Sequence, residues 1–348
     1  KVLYTNEADE SSEQSEFLRQ ILQYVTTQFS SNEDEGLSFL VNFIASMGTS
    51  ATSDETGVTQ TFAFKCDDLL RKIMDVLMRE CKTIQTMEQS AVVSVISVHS
   101  TVPVPFNVTK IWACLKCLSY FNVSEELFES SKLLKHLSAI FFSLQEAICA
   151  CDEVKAEIVA VAAHSLQTLT KLSKLSIDSF KVMHNSLNCV ISLLKKEGTH
   201  LHVLKAVDTY LQVYSNGDPL PNELFLQIWE SLEANLHSRV SELRLTTLRV
   251  LTRFEQTPLL ESGVSGQYNG SCDILVMLRE SEETGIDWQI SRKKVYELEK
   301  ALQHVQRYRE RVPDHMYRLL SHYAIGGLFI KFSIAWPPCI EIAKHLIS

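Results

Sequence analysis

Arg239-Val-Ser-Glu-Leu-Arg-Leu-Thr-Thr-Leu-Arg-Val-Leu-Thr-Arg-Phe254 is the stretch from which the fold is read. At helical spacing, Val240, Leu243, Thr247, Val250, Leu251 and Phe254 share one face roughly 100° wide, the width of a core-facing stripe. Leu245 and Leu248 add a second apolar strip. Glu242, Arg249 and Arg253 gather on the side away from the main stripe. A helix with apolar contacts on two sides suits an interior layer of stacked helix pairs. Ser238, just ahead of it, has the hydroxyl expected of an N-cap.

The same period extends outward in both directions. Phe17, Ile21, Val25 and Phe29 recur at helical spacing, widened by Leu18 and Leu22, and Gly36 precedes a second set, Leu37, Leu40, Val41 and Ile44. Further helices are expected over about 67–81, 86–98, 107–121, 125–147, 153–173, 177–196, 200–214 and 222–236. Arg292–Arg311 repeats the pattern, with Val295, Leu298, Leu302 and Val305 at a/d spacing and charge elsewhere, so it is expected to pack on one side. Most of the eleven glycines and eight prolines fall between these segments, as punctuation between helices. Two stretches lack the pattern. Thr49–Thr61 is polar with little to bury, and 255–290 holds Pro258 and three clustered glycines around a short apolar run, Ile274–Leu278.

Near the C-terminus, Gly326 and Gly327 interrupt an apolar helix, at about 1 kcal/mol each relative to Ala. Close approach of a neighbouring helix is the simplest offset. Pro337 and Pro338 fit the first turn of a new helix, where a missing N–H does no harm. Trp336 is placed to staple that turn to the preceding layer. Arg318, His322 and Lys331 within Tyr317–Trp336 argue against a membrane span there.

These patterns predict an all-α fold, an α-solenoid of antiparallel HEAT-like helix pairs. It is expected to run as one segment over residues 1–348, with flexible loops at about 49–61 and 255–290. The chain begins at Lys1 and reads as part of a longer protein. Hydrophobic residues make up 45%, enough for a sizeable core, and the net charge of −9 rules out a uniformly nucleic-acid-binding surface. Residues 1–60 hold ten Asp and Glu against Lys1 and Arg19. Nine cysteines spread through apolar segments read as reduced thiols.

Chemistry is sparse. Cys114-x-x-Cys117 and Cys149-x-Cys151 have no compact second pair to complete a zinc site, and both are read as buried thiols. His200-x-His202 straddles an expected helix start, with its rings diverging into solvent. Ser265 in Gly-Val-Ser-Gly lacks the strand and spacing of a nucleophile elbow. No phosphate loop, dinucleotide fingerprint, zinc-protease helix or kinase set occurs. The expectation is a non-enzyme with no cofactor, no metal, no small-molecule substrate and no membrane contact. The remaining candidates for RNA or an acidic partner are Arg292, Lys293, Lys294, Arg307, Arg309 and Arg311, with Lys300 between them. Glu297, Glu299 and Glu310 interleave with them, no aromatic stacking run accompanies them, and a solvated helix face is the favoured reading.

Ser231-Leu-Glu-Ala-Asn-Leu-His-Ser-Arg-Val-Ser-Glu-Leu-Arg-Leu-Thr-Thr-Leu-Arg-Val-Leu251 resembles the N-terminal part of the small-subunit processome component 20 family, also called the down-regulated-in-metastasis family. So does Gly326-Gly-Leu-Phe-Ile-Lys-Phe-Ser-Ile-Ala-Trp-Pro-Pro-Cys-Ile-Glu-Ile342. The resemblance covers about 224–348; upstream only the helical-repeat character is shared. It implies a nucleolar HEAT-type scaffold of the small-subunit processome, needed for maturation of the small-subunit ribosomal RNA and several times longer than this chain. Processome proteins are the implied partners, with pre-ribosomal RNA or small nucleolar RNA in the same assembly. The family brings no catalytic residues; Val240, Leu243, Leu248, Leu251, Gly326, Trp336, Pro338 and Ile340 match as packing positions. Pro337 and the 255–290 region depart from the family pattern. The alternative is a helical-repeat adaptor of another class, such as a nuclear transport receptor or the regulatory arm of a large kinase.

Overall fold

A computed structural model describes residues 13–48, 67–120, 123, 127–128, 132–175, 181–183, 185–214, 222–256, 270–283, 288–307, 314–329 and 335–347. These residues are helical almost throughout, and no strand occurs among them; the nearest thing is an isolated bridge between Ser97 and Val154. The all-α expectation holds. The chain divides into two compact units, Lys1–Cys189 and Val190–Ser348.

The first unit contains α1 (Glu13–Ser31), α2 (Glu33–Gly48), α3 (Asp67–Thr86), α4 (Gln89–Ile96), α5 (Val108–Tyr120), α6 (Leu133–Ala150) and α7 (Ala156–Leu172). Local sequence explains the starts. Glu33, Asp34 and Glu35 fill the first turn of α2, where carboxylates meet the positive end of the helix dipole. Asn107 follows Pro103 and Pro105, and its Oδ1 accepts the Lys110 N–H at 3.0 Å, capping α5. Gly36 does not precede α2 but sits in its opening turn, against the backbone of Phe29.

Contacts arrange these helices in two rows. α1 touches α3 and α3 touches α6; α2 touches α5 and α5 touches α7. Across the rows, α1 packs on α2, α3 on α5 and α6 on α7, while the short α4 leans on α6. Leu70, Ile73, Met74 and Leu77 of α3, and Leu137, Ile140, Phe141 and Leu144 of α6, are wholly inside. Each such side chain contributes about 1.5–3 kcal/mol on leaving water. Buried hydroxyls on α7 are satisfied locally: Ser165, Thr168 and Thr170 donate to the carbonyls of Val161, His164 and Leu166. Helix α6 is the one described helix long and apolar enough to cross a membrane, and its apolar face forms this core.

A helix α8 (Leu187–Glu197) spans the division between the units. The second unit continues with α9 (Leu201–Tyr214), α10 (Asn222–Glu233), a 3-10 turn (Ala234–His237), α11 (Ser241–Gln256), α12 (Gly270–Glu283), α13 (Trp288–Arg307), α14 (Asp314–Leu328) and α15 (Trp336–Ile347). The packing sequence runs α9–α11–α12–α13–α15–α14, and α14 closes on α10 and the 3-10 turn.

Two expectations change here. The region 255–290 is not a loop over 270–283: Ile274, Leu275 and Leu278, at helical spacing, bury one face of α12 against α11 and α13. Helix α13 packs on α12 and α15 through one face, with Glu297, Leu298 and Ala301 buried and Lys293, Tyr296, Glu299, Lys300 and Arg307 exposed. Ser238 does not cap α11, which begins two residues later than expected of that cap. Its hydroxyl accepts the Val240 N–H at 3.1 Å, and Val240 is itself the residue whose carbonyl starts the helical ladder. The expected loop at 49–61 lies outside the described residues.

Gly326 and Gly327 behave as predicted, through close approach. A Cβ on Gly326 would lie 2.1 Å from the Leu236 carbonyl oxygen, and one on Gly327 would lie 2.6 Å from Cys339 Sγ. The first glycine seats the 3-10 turn on α14; the second seats α15. Pro337 and Pro338 do occupy the first turn of α15. Trp336 is 41% exposed. Of the other matched packing positions, Leu248, Leu251, Gly326 and Pro338 are buried and Leu243 is half-buried, whereas Val240 and Ile340 face solvent.

Candidate functional site

Lys293 and Arg307 are exposed on α13; Arg292 and Lys294 lie on the same helix, their side chains undescribed, and Arg309 and Arg311 lie outside the described residues. Lys293, Lys300 and Arg307 are seven residues apart, which sets them along one line of the helix about 10 Å apart. Tyr296, 61% exposed, stands one turn from both Lys293 and Lys300. That aromatic was missed in the sequence because a lone Tyr shows no run. Glu297 is buried rather than interleaved on the surface, and pairs with Lys300 at 3.6 Å. Glu297 thus partly answers one of the three stripe cations, and Glu299 stays exposed beside them.

The thiols are inert where they are buried. Burial pushes Cys117 up to about 12 and Cys81 and Cys114 well above the ordinary thiol range, so none is a nucleophile at neutral pH. Cys149 departs from expectation: it is exposed, at the C-terminal end of α6, while Cys151 is buried and donates to the Glu153 carbonyl at 3.3 Å. His200 and His202 also depart. Their rings converge to 5.4 Å between centroids and both are half-buried, because the helix begins at Leu201 and turns His202 back toward its neighbour. Burial, then His202, lowers the His200 pKa. Among the described residues no group of three or more His, Cys, Asp and Glu could hold a metal ion.

Lys171 is a buried amine that the sequence did not single out. Burial brings it down to about 8, yet it donates to the Ser119 carbonyl at 2.9 Å, at the C-terminal end of α5. An ammonium there answers the carbonyls and negative dipole end of that helix. Its role is a cap.

The most organised polar constellation lies in the second unit. Arg244 and Glu282 are almost fully buried, 2% and 5% exposed. Arg244 Nε donates to Glu282 Oε1 at 3.0 Å and Nη2 to Oε2 at 2.8 Å, the bidentate geometry that suits guanidinium and carboxylate. Tyr323 donates its hydroxyl to Oε1 at 2.8 Å, Ser241 donates to Oε2 at 2.8 Å, and Arg244 Nη1 reaches the Ser238 carbonyl at 2.6 Å. Burial beside Glu282 drives the Tyr323 phenol well above its ordinary pKa. With both carboxylate oxygens accepting two hydrogen bonds each, the network is a clamp that fixes α11, α12 and α14 to one another. It presents no open reactive atom. Arg244 was legible only as one charge among apolar neighbours, and its partner lies in the stretch that reads as a loop.

A second cluster stands at the 3-10 turn. His237 Nε2 and His322 Nδ1 are 2.9 Å apart, His322 Nε2 is 3.6 Å from Glu233 Oε1, and Arg318 pairs with Glu230 at 3.0 Å and Glu233 at 3.8 Å. One imidazole must donate and the other accept, so double protonation breaks the bond. Burial lowers both pKa values, aided by His322 at His237 and by Arg318 at His322. A histidine whose folded pKa is depressed adds stability fully present above its unfolded value of about 6.5 and lost as pH falls below it. Burial raises Glu233, so its titration opposes this loss only from the carboxylate side of the window. Urea midpoints are therefore expected to fall between about pH 7.5 and about pH 5.5. The His237→Gln/His322→Gln variant is expected to lose a measurable part of that fall; an identical pH profile would remove the pair from the account.

No family model matches the chain, and no solved structure matches it.

Proposed function

We propose that this chain is a non-catalytic interaction scaffold, a HEAT-like solenoid segment that serves small-subunit processome assembly in the nucleolus. The observation that supports it is the pair of stacked rows in the first unit. α1/α2, α3/α5 and α6/α7 succeed one another as packed pairs, with α1, α3 and α6 in one row and α2, α5 and α7 in the other. Such stacking buries a continuous core and leaves extended faces for partners. The setting rests on the two segments that resemble the processome component 20 family; of their matched positions Leu248, Leu251, Gly326 and Pro338 are buried, while Val240, Trp336 and Ile340 are exposed. Processome proteins are the proposed partners, with pre-ribosomal RNA or small nucleolar RNA touching the Lys293–Lys300–Arg307 stripe. The reading as a transport receptor or kinase arm shares the architecture but has no matched segments behind it.

Depletion of the full-length protein is the direct test. Accumulation of unprocessed small-subunit precursor RNA is expected; normal processing removes the reading. For the stripe, Lys293→Glu/Arg307→Glu is expected to weaken RNA binding and flatten its salt dependence by about one to two units of slope. Unchanged RNA affinity excludes α13 as the contact.

A further inference from the structure

A cleft of about 630 Å³ opens in the first unit, where the α1–α2 corner, one face of α3 and the first turn of α6 meet. Phe29, Val76 and Met78 make its floor apolar, and Lys72, Lys82 and Lys132 stand on its rim. The spacing of Lys72, Asp75, Arg79 and Lys82 sets them along one side of α3. Two carboxylates also line the cleft, but one is spent internally. Burial pushes Glu33 up, yet hydrogen bonds from Arg79 and Lys110 outweigh it and hold its pKa below the ordinary value. Asp75 is left as the only unpaired carboxylate among the lining residues.

The cations are not similarly answered. Lys82, Lys132 and Lys135 are exposed, and their ammonium groups have no ion pair among the described residues. Lys82 and Lys132 line the cleft with His136, and Lys135 precedes His136 on α6; burial first, then Lys135, Lys82 and Lys132, lowers the His136 pKa. Gln85 donates to His136 Nδ1 at 3.2 Å, which fixes the ring between α3 and α6. Lys132 holds the left-handed conformation, φ 54°, with no glycine to ease it. That conformation costs a non-glycine residue about 1–2 kcal/mol. The same residue is the N-cap of α6 and caps it with no side-chain bond, leaving the positive end of that helix directed at the cleft. In a chain of net charge −9, this is a concentrated exception.

We infer that this cleft docks an acidic peptide segment from a partner protein, its carboxylates on Lys82, Lys132 and Lys135 and an apolar side chain on the Phe29–Val76–Met78 floor. Two features favour a peptide over RNA. The lining offers no exposed aromatic for base stacking, since Phe29 is only 6% exposed. Its apolar floor matches a side chain, whereas a phosphate backbone gains nothing from it. The site is independent of the ribosome-assembly reading and is tested without it.

The test is fluorescence anisotropy with the full 348-residue chain and a labelled peptide of about ten residues alternating Glu and Leu, beside a Gln/Leu peptide and oligouridylate of similar length. Saturable binding of the Glu/Leu peptide is expected, at least about tenfold tighter than the Gln/Leu peptide and weakened strongly between about 0.15 M and 1 M salt. Lys82→Glu/Lys132→Glu/Lys135→Glu, at exposed positions, is expected to lower its affinity about tenfold or more while circular dichroism stays unchanged. Met78→Gln, which spoils the floor without changing the charge, is expected to lower it as well. Should the triple Glu variant lose helicity, the corresponding Lys→Gln variant gives the same comparison. Absent binding, or affinity unchanged by the triple variant, overturns the site. Tighter, variant-sensitive binding of oligouridylate overturns the peptide assignment in favour of RNA.

Discussion

Gly326→Ala is expected to destabilise the second unit by about 3 kcal/mol or more, although Ala is the better helix former by about 1 kcal/mol. The methyl group would arrive 2.1 Å from the Leu236 carbonyl oxygen and 3.0 Å from its carbon, and both are backbone atoms that cannot rotate aside. Either the 3-10 turn lifts from α14, taking the His237–His322 pair with it, or α14 shifts. Urea or thermal unfolding measures the loss. A stabilised variant would mean the two elements do not approach as described. Gly327→Ala supplies the control, because its added carbon meets a side-chain atom, Cys339 Sγ at 2.6 Å, with Cys339 Cβ at an ordinary 3.7 Å. Gly327→Ala alone is expected to destabilise, and Gly327→Ala/Cys339→Ala to recover most of the loss.

Glu282→Ala is expected to cost about 3–5 kcal/mol, the usual penalty for stranding one member of a buried ion pair. Arg244 would keep its charge inside the protein with only the Ser238 carbonyl as a described partner, while Ser241 would lose its acceptor and Tyr323 would keep only Ser281 Oγ at 3.3 Å. Arg244→Met/Glu282→Met removes both charges, and its stability is expected to recover much of the way to the parent value. The double-mutant cycle separates pair from packing. If both single variants fall within about 0.5 kcal/mol of the parent, the clamp is not a determinant of stability.

The helices were readable because burial imposes a period on the chain. Leu248, Val250 and Leu251 are apolar at helical spacing, and they are inside. Where the signal was shorter than two turns it failed. Ile274, Leu275 and Leu278 sit between glycines and acids, so α12 reads as loop until α11 and α13 are seen on either side of it. The reverse error occurred at Val240, Trp336 and Ile340, apolar residues that continue a stripe yet face solvent, because each lies where a helix starts or at the rim of its packed face. Candidate sites were less legible still. The basic stripe on α13 could be proposed from composition, but the exposure of Tyr296 and the burial of Glu297 could not. Nor could the cleft beside α6, whose parts come from residues 29 to 136 and share no local motif.

By itself the sequence determined the all-α class, the approximate helix boundaries, and the need for close contact at Gly326 and Gly327. Those follow from local physics: the period of burial, the intrinsic cost of glycine in a helix, and the chemistry of helix starts. Only the tertiary structure decided that Arg244 meets Glu282, that His237 meets His322, and that Lys82 and Lys132 line one cleft. Each of those pairings joins residues dozens of positions apart. Charge and hydrogen bonding act through space at a few ångströms, and one-dimensional spacing does not encode which distant helix will be there.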